Sequence, residues 1–351
     1  MSARFLGKAA LLITLALAVH QSAVAQYQQI NLVSTSSSKS VTKDPNLVNG
    51  WGIAFFPGSP YWISDNATGL STLYDQFGNI TPLVVTIPPA PSQPFGPVGT
   101  PTGIIANPTT GFVVSENGLS GPAAFVFATE DGTISGWAPT VDGTNAIIAV
   151  DNSAKGTLYT GLAFAQTGSH VLLFAADAVG NKIDVYNSSF KFVKSFSDPN
   201  PPAGQSVYGV QNLKGQIYVT YASPVPLQGG AVDIFDTTGK FIKRLTTNGP
   251  GGVLNGPWGM VMSPSNFGPL SNALLVGNVD TGHVAAFDPN TGAFLGAMTD
   301  TKGNTIKITG LWGLTFGTGG LVSGSTNNLF FSSGPSNYSQ GLFGKLTPPA
   351  N

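Results

Sequence analysis

Residues 49–55, Asn-Gly-Trp-Gly-Ile-Ala-Phe, open a pattern that returns as PTGIIA at 101–106, YTGLAF at 159–164, YGVQNL at 208–213, PWGMVM at 257–262 and LWGLTF at 311–316. Each return sets a glycine at the head of a short apolar run: Gly52, Gly103, Gly161, Gly209, Gly259 and Gly313. The spacings are 51, 58, 48, 50 and 54 residues, a period that suits four short strands per unit. Six such units predict an all-β chain folded as a six-bladed β-propeller of four-stranded antiparallel blades, with blades beginning near residues 47, 98, 156, 204, 254 and 308.

The first unit shows the order of strands. Gly52 to Phe56, Tyr61 to Ser64, Ser71 to Tyr74 and Ile80 to Thr86 are separated by turn-forming stretches such as Asp65-Asn66-Ala67-Thr68-Gly69 and Asp75-Gln76-Phe77-Gly78-Asn79. Asp and Asn suit these positions because their short side chains bond backbone N–H groups two residues on, and glycine accepts a positive φ. The turn before the fourth strand is read again in Thr129-Glu130-Asp131-Gly132, Asn187-Ser188-Ser189, Asp236-Thr237-Thr238-Gly239 and Asp288-Pro289-Asn290-Thr291-Gly292. The sixth unit stops one strand short, while Tyr27 to Ser34 has no blade of its own. Residues 27–34 are therefore expected to supply the outer strand of the last blade, closing the ring and covering two sheet edges.

Composition fits one globular domain over residues 26–351: 42% apolar residues, 45 Gly, 26 Pro, 9% charged residues and no Cys, so the fold must rest on core and closure rather than disulfides. Residues 1–25 stand apart. Arg4 and Lys8 precede an apolar run from Ala9 to Val19 and then Ala23-Val24-Ala25, the order of a secretory signal peptide cleaved near Ala25. The run is too short to span a bilayer, so the expectation is a secreted protein, extracellular or periplasmic, with no stable membrane anchor. Beyond it 13 Lys and Arg face 16 Asp and Glu, a balance that argues against nucleic acid as a partner.

The sequence holds no GxSxG, HExxH or Walker motif, and after signal removal only His170 and His283 remain, too few for a three-histidine zinc site. The residue before each repeat glycine marks where an inner strand enters the central channel. These residues are Trp51, Thr102, Thr160, Tyr208, Trp258 and Trp312, which gathers three of the five tryptophans at one mouth. An indole joins an apolar face to an N–H donor. The aromatics therefore either fill the space between blades or rim a pocket for a carbohydrate, another small molecule or a protein. The loops after the second strands are expected on the same face, carrying Asp65-Asn66, Glu116-Asn117, Asp177, Asn278 and Asp280. Asp65, Glu116 and Asp177 could together hold Ca²⁺ or another divalent cation, or each could cap its own turn. Glu116 stands out, being one of only two glutamates and not a favoured turn residue.

Taken together, the glycine-apolar strand, the apolar strand ending in Asp-Asn, and runs such as STLYD and KIDVYN resemble the NHL-type repeat of six-bladed propellers. NLVNGWGIAF and WISDNATGLSTLYDQFGN look more specifically like a family of secreted bacterial proteins, some with a PEP-CTERM sorting tail. This chain ends Lys345-Leu346-Thr347-Pro348-Pro349-Ala350-Asn351 without such a tail, so release is expected rather than sorting. Six-bladed lactonases of the SMP-30/gluconolactonase group are similar in outline, and that resemblance implies a divalent metal held by Glu, Asn and Asp at the mouths of inner strands. Here those positions hold no carboxylate, with only Asn49 and Asn255 close by. The resemblance thus leaves a ligand-binding module as the leading expectation and a metal-dependent hydrolase or lactonase as its alternative.

Overall fold

The computed structural model describes residues 26–36 and 39–349; the segment read as a signal peptide lies outside them. Six four-stranded antiparallel blades follow one another around a ring. Their inner strands are Gly50–Ala54, Pro101–Ala106, Tyr159–Thr167, Ser206–Leu213, Pro257–Met262 and Leu311–Phe316. Apart from these sheets, the described residues hold one small hairpin and two single-turn 3₁₀ helices, Ser153–Lys155 and Gly268–Leu270.

The repeated glycine has a steric cause. A Cβ at Gly52 would lie 2.6 Å from the Thr102 carbonyl oxygen, at Gly103 2.5 Å from the Leu162 nitrogen, and at Gly209 2.4 Å from the Trp258 oxygen. Gly259 meets the Trp312 oxygen at 2.3 Å, and Gly313 meets the Trp51 oxygen at 2.9 Å, which completes the circuit. Five of the six inner strands thus pack their glycine against the backbone of the next blade too closely for a side chain, and a Cβ at Gly161 would lie 3.2 Å from the Val210 nitrogen.

Between neighbouring blades the facing sides of the sheets bury apolar side chains. Trp62 stacks on Phe125 at 4.1 Å and tilts against Trp137 at 4.7 Å, joining the first blade to the second. Tyr61, Ile63 and Tyr74 of the first blade share a buried cluster with Val33, Phe330 and Phe343 of the last. Ring closure follows the expected scheme: Gln28–Ser34 pairs antiparallel with Leu342–Thr347, from Gln28 opposite Thr347 to Ser34 opposite Leu342, with a bulge between Asn31 and Val33. A short strand, Thr42–Lys43, then pairs in parallel along the outer edge. Tyr27 anchors the closing strand, since its buried hydroxyl donates to the Phe267 carbonyl at 2.9 Å and accepts from the Leu270 N–H at 3.2 Å.

The second blade corrects the sequence reading. Its inner strand Pro101–Ala106 pairs with Phe125–Thr129, and Ala106 lies opposite Phe125 while Pro101 lies opposite Thr129. The connection between these strands carries an inserted hairpin, Val113–Glu116 with Leu119–Pro122, so Glu116 sits at a hairpin tip rooted at the face away from the channel mouth. Thr129-Glu130-Asp131-Gly132 joins the second strand to the third, not the third to the fourth. The inserted hairpin misled the count because its strands show the same short, β-rich pattern as a blade strand.

Candidate functional site

The six residues ahead of the glycines do gather at one end of the channel, but as a plug rather than an open rim. Trp51, Trp258 and Trp312 are buried together with Val279, and Tyr208 packs against them half-buried. Trp51 stacks on Trp312 at 3.7 Å, and Trp258 meets Trp312 edge-on at 6.0 Å, geometries that aromatic quadrupoles favour. Thr102 and Thr160 are buried hydroxyl anchors. Thr102 Oγ1 donates to the Tyr159 carbonyl at 2.7 Å, and Thr160 Oγ1 donates to the Tyr208 carbonyl. Beneath the plug the glycine-lined channel leaves about 20 Å³, room for roughly one water molecule.

Two indoles have assigned partners. Trp258 Nε1 donates to the Thr160 carbonyl and Trp312 Nε1 to Asn49 Oδ1, both at 2.9 Å. From Asn49 the bonds continue across blades: Asn49 Nδ2 donates to Asn66 Oδ1 at 3.0 Å, and Asn66 Nδ2 donates to Glu130 Oε2 at 2.8 Å. Burial raises the Glu130 carboxyl, with the Asn66 bond pulling it down and Asp131 pushing it up. Glu130 therefore stands where the sequence reading placed Glu116. The missed signal was Phe125–Thr129, which matches the other second strands once the hairpin is set aside.

A larger opening lies beside the plug on the same face. It encloses about 570 Å³, the volume of a small-molecule site. Tyr208 is shared between plug and basin; Leu158 and Val179 come from the third blade, Val207, Ala222, Ser223, Pro224 and Pro226 from the fourth, and Asp280 and Tyr338 from the fifth and sixth. These walls are fixed by short-range bonds. Asp177 Oδ1 accepts from the Gly180 N–H at 2.9 Å and holds the loop that carries Val179, while Asp280 Oδ2 accepts from the Leu227 N–H at 2.8 Å and ties the fourth blade's loop to the fifth.

Tyr338 reaches the basin through an unusual turn. Ser336, Asn337 and Tyr338 have φ of 56°, 55° and 64° in succession, and the Tyr338 N–H donates to the Gly334 carbonyl at 3.2 Å. Left-handed backbone costs a non-glycine residue about 1–2 kcal/mol, and such strain concentrates at functional sites. The turn sets the Tyr338 ring 5.9 Å from Trp312. Burial pushes the Tyr208 phenol well above its ordinary range, and the charges of Tyr338, Glu130 and Asp280 add to that push.

The three carboxylates read as a metal set are not brought together. Asp65 is fully buried at a strand end in the first blade, Asp177 caps a turn in the third, and Glu116 is exposed on the inserted hairpin. Among the described residues no three His, Cys, Asp or Glu side chains gather as a metal site would require. Burial pushes the Asp65 carboxyl well above the usual carboxylate range, only partly offset by Thr72. Asp44, also buried, accepts from the Tyr74 hydroxyl at 2.9 Å. Turn-forming is the role of many other acidic and amide side chains: Asp75, Asn187, Asp236 and Asp300 each accept two backbone N–H bonds from their own turns.

No family model matches the chain. Among solved structures, a gluconolactonase from Xanthomonas campestris superposes with a TM-score of 0.54 at 14% identity, over 94% of each chain. A virginiamycin B lyase from Staphylococcus aureus gives 0.53 at 13% identity, over 92% of this chain and 99% of that one. At such identities the likeness is one of fold. By sequence the chain is 32% identical over 302 residues to the uncharacterized protein R648 of Acanthamoeba polyphaga mimivirus, covering 81% of this chain and 72% of that protein. This chain and the viral R648 protein therefore belong to one family of six-bladed propellers.

Proposed function

We propose that the protein is a secreted binding module that takes a small amphipathic molecule in the basin beside the tryptophan plug. The carrying observation is the basin itself: about 570 Å³, walled mainly by apolar and aromatic side chains, with Asp280 as its single charged lining residue. Its lining holds no His, Lys or Arg, and apolar walls of this kind support binding of an amphipathic molecule. A lactonase-like metal chemistry would need ligands that Asp65, Glu116 and Asp177 do not supply together. Export is the reading carried by the N-terminal sequence.

Octyl glucoside, used below its micellar concentration and followed by tryptophan fluorescence, tests the site. The wild type is expected to bind it saturably. Val179→Asp, which places a charge on an exposed rim residue, is expected to weaken binding about tenfold. Absence of saturable binding, or an unchanged affinity in the variant, would contradict the assignment.

A further inference from the structure

The charge pattern around the basin identifies the chemistry of its occupant. This step rests on the binding reading above and sharpens it to a ligand class. The basin's apolar walls continue to an exposed rim, where Val179 is 67% exposed, Val225 58% and Leu227 51%. Apolar side chains grouped at the mouth of a pocket offer a surface that a ligand can cover. Two phenols, Tyr208 and Tyr338, line the basin together with the carboxylate of Asp280. Glu130 acts on the same Tyr208 phenol from the second blade.

No cation balances these groups within the basin. The lining residues include neither Lys nor Arg, and among the described residues the Asp280 side chain accepts one hydrogen bond, from the Leu227 N–H to Oδ2. Asp233 and Asp198 share Arg244, and Asp184 is paired with Lys182 at 2.9 Å, whereas Asp280, like the buried Asp44 and Asp65, has no cation partner among the described residues. A carboxylate without a cation partner, lining an apolar basin together with two aromatic rings, is complementary to an organic cation. An anionic head group would meet the Asp280 carboxylate and no lining side chain of opposite charge.

We infer that the basin binds an amphipathic organic cation, an amine or quaternary ammonium carrying an apolar body, with the cationic head against Tyr208, Tyr338 and Asp280 and the body along Val179, Val207 and Pro226. The volume accommodates a molecule of roughly drug size. Tyr338, carried by the left-handed turn at Ser336 to Tyr338, supplies an aromatic ring for the cation.

Three probes with one octyl tail separate the terms: octyltrimethylammonium, octyl glucoside and octyl sulfate, each titrated below its micellar concentration by calorimetry. The expected result is that the cation binds about tenfold more tightly than the glucoside, with the sulfate weakest and the cation's advantage shrinking as salt is added. In Asp280→Asn, whose amide oxygen can still accept the Leu227 N–H, the cation-to-glucoside ratio is expected to fall towards unity. Equal binding of cation and glucoside by the wild type would overturn the cation assignment and leave the binding site standing. A ratio unchanged in Asp280→Asn would also overturn it. Binding of none of the three probes would remove the binding reading as well.

Discussion

Asn66 Nδ2 donates to Glu130 Oε2 at 2.8 Å, and through Asn49 this contact is linked to the indole of Trp312. Three hydrogen bonds thus join the second, first and sixth blades around the channel mouth. Because Trp312 carries Trp51 on one face and lies near Tyr338, the chain of amides positions the aromatic floor of the site.

Coupling along that chain is measurable. Asn66→Ala and Trp312→Phe each leave a buried polar group without its partner, and each is expected to cost about 1–3 kcal/mol in urea unfolding. In the double variant the losses should be less than additive by at least about 0.5 kcal/mol. Strict additivity would show that the amides act independently.

The glycine circuit makes a steric prediction. Gly209→Ala must displace the Trp258 backbone, 2.4 Å from the new Cβ, and is expected to lose about 1–3 kcal/mol. Gly143→Ala, where a Cβ meets nothing within 4 Å, should stay within about 0.5 kcal/mol of wild type. Chemical denaturation of the two variants side by side checks the account. Equal stabilities would contradict it.

Closure by the N-terminal strand predicts that deletion of residues 26–34 lowers the melting temperature sharply. Tyr27→Ala alone, which removes a buried ring and its two hydrogen bonds, should cost about 3–5 kcal/mol. An unchanged melt in either variant would mean the ring closes some other way.

Asp65 sets a pH dependence of definite sign. Its carboxyl is raised in the folded protein by burial, so the native state keeps a proton that the unfolded chain releases near pH 4. Stability from this group is greatest below that pH and is lost as pH rises towards the folded value. The melting temperature of Asp65→Asn relative to wild type is therefore expected to increase as pH rises above about 4. Other raised carboxyls, such as Asp233 at about 6, are present in both proteins and cancel in the comparison. A difference that is flat or falls with pH would contradict the assignment.

The repeated glycine made the propeller legible because its cause, backbone against backbone between blades, acts once per unit and leaves the same trace each time. The fourth strand missing from the sixth unit likewise pointed to residues 27–34, and Gln28–Ser34 supplies it. The site was legible only in part. Trp51, Trp258 and Trp312 were placed at the right end of the channel, yet nothing in local sequence tells whether three indoles rim an opening or close it. That depends on their packing across the ring. Glu130 was displaced by the inserted hairpin, and Tyr338 was missed because its position follows from three successive left-handed residues that carry no glycine. The basin draws its walls from four blades, so no single segment could announce it.

A crystal structure of the protein soaked with octyltrimethylammonium tests the central claim most directly. The account predicts the octyl chain along Val179, Val207 and Pro226 and the ammonium beside Asp280, Tyr208 and Tyr338, with the tryptophan plug unmoved. A ligand in the axial channel beneath Trp51, or an empty basin at saturating probe, would contradict it.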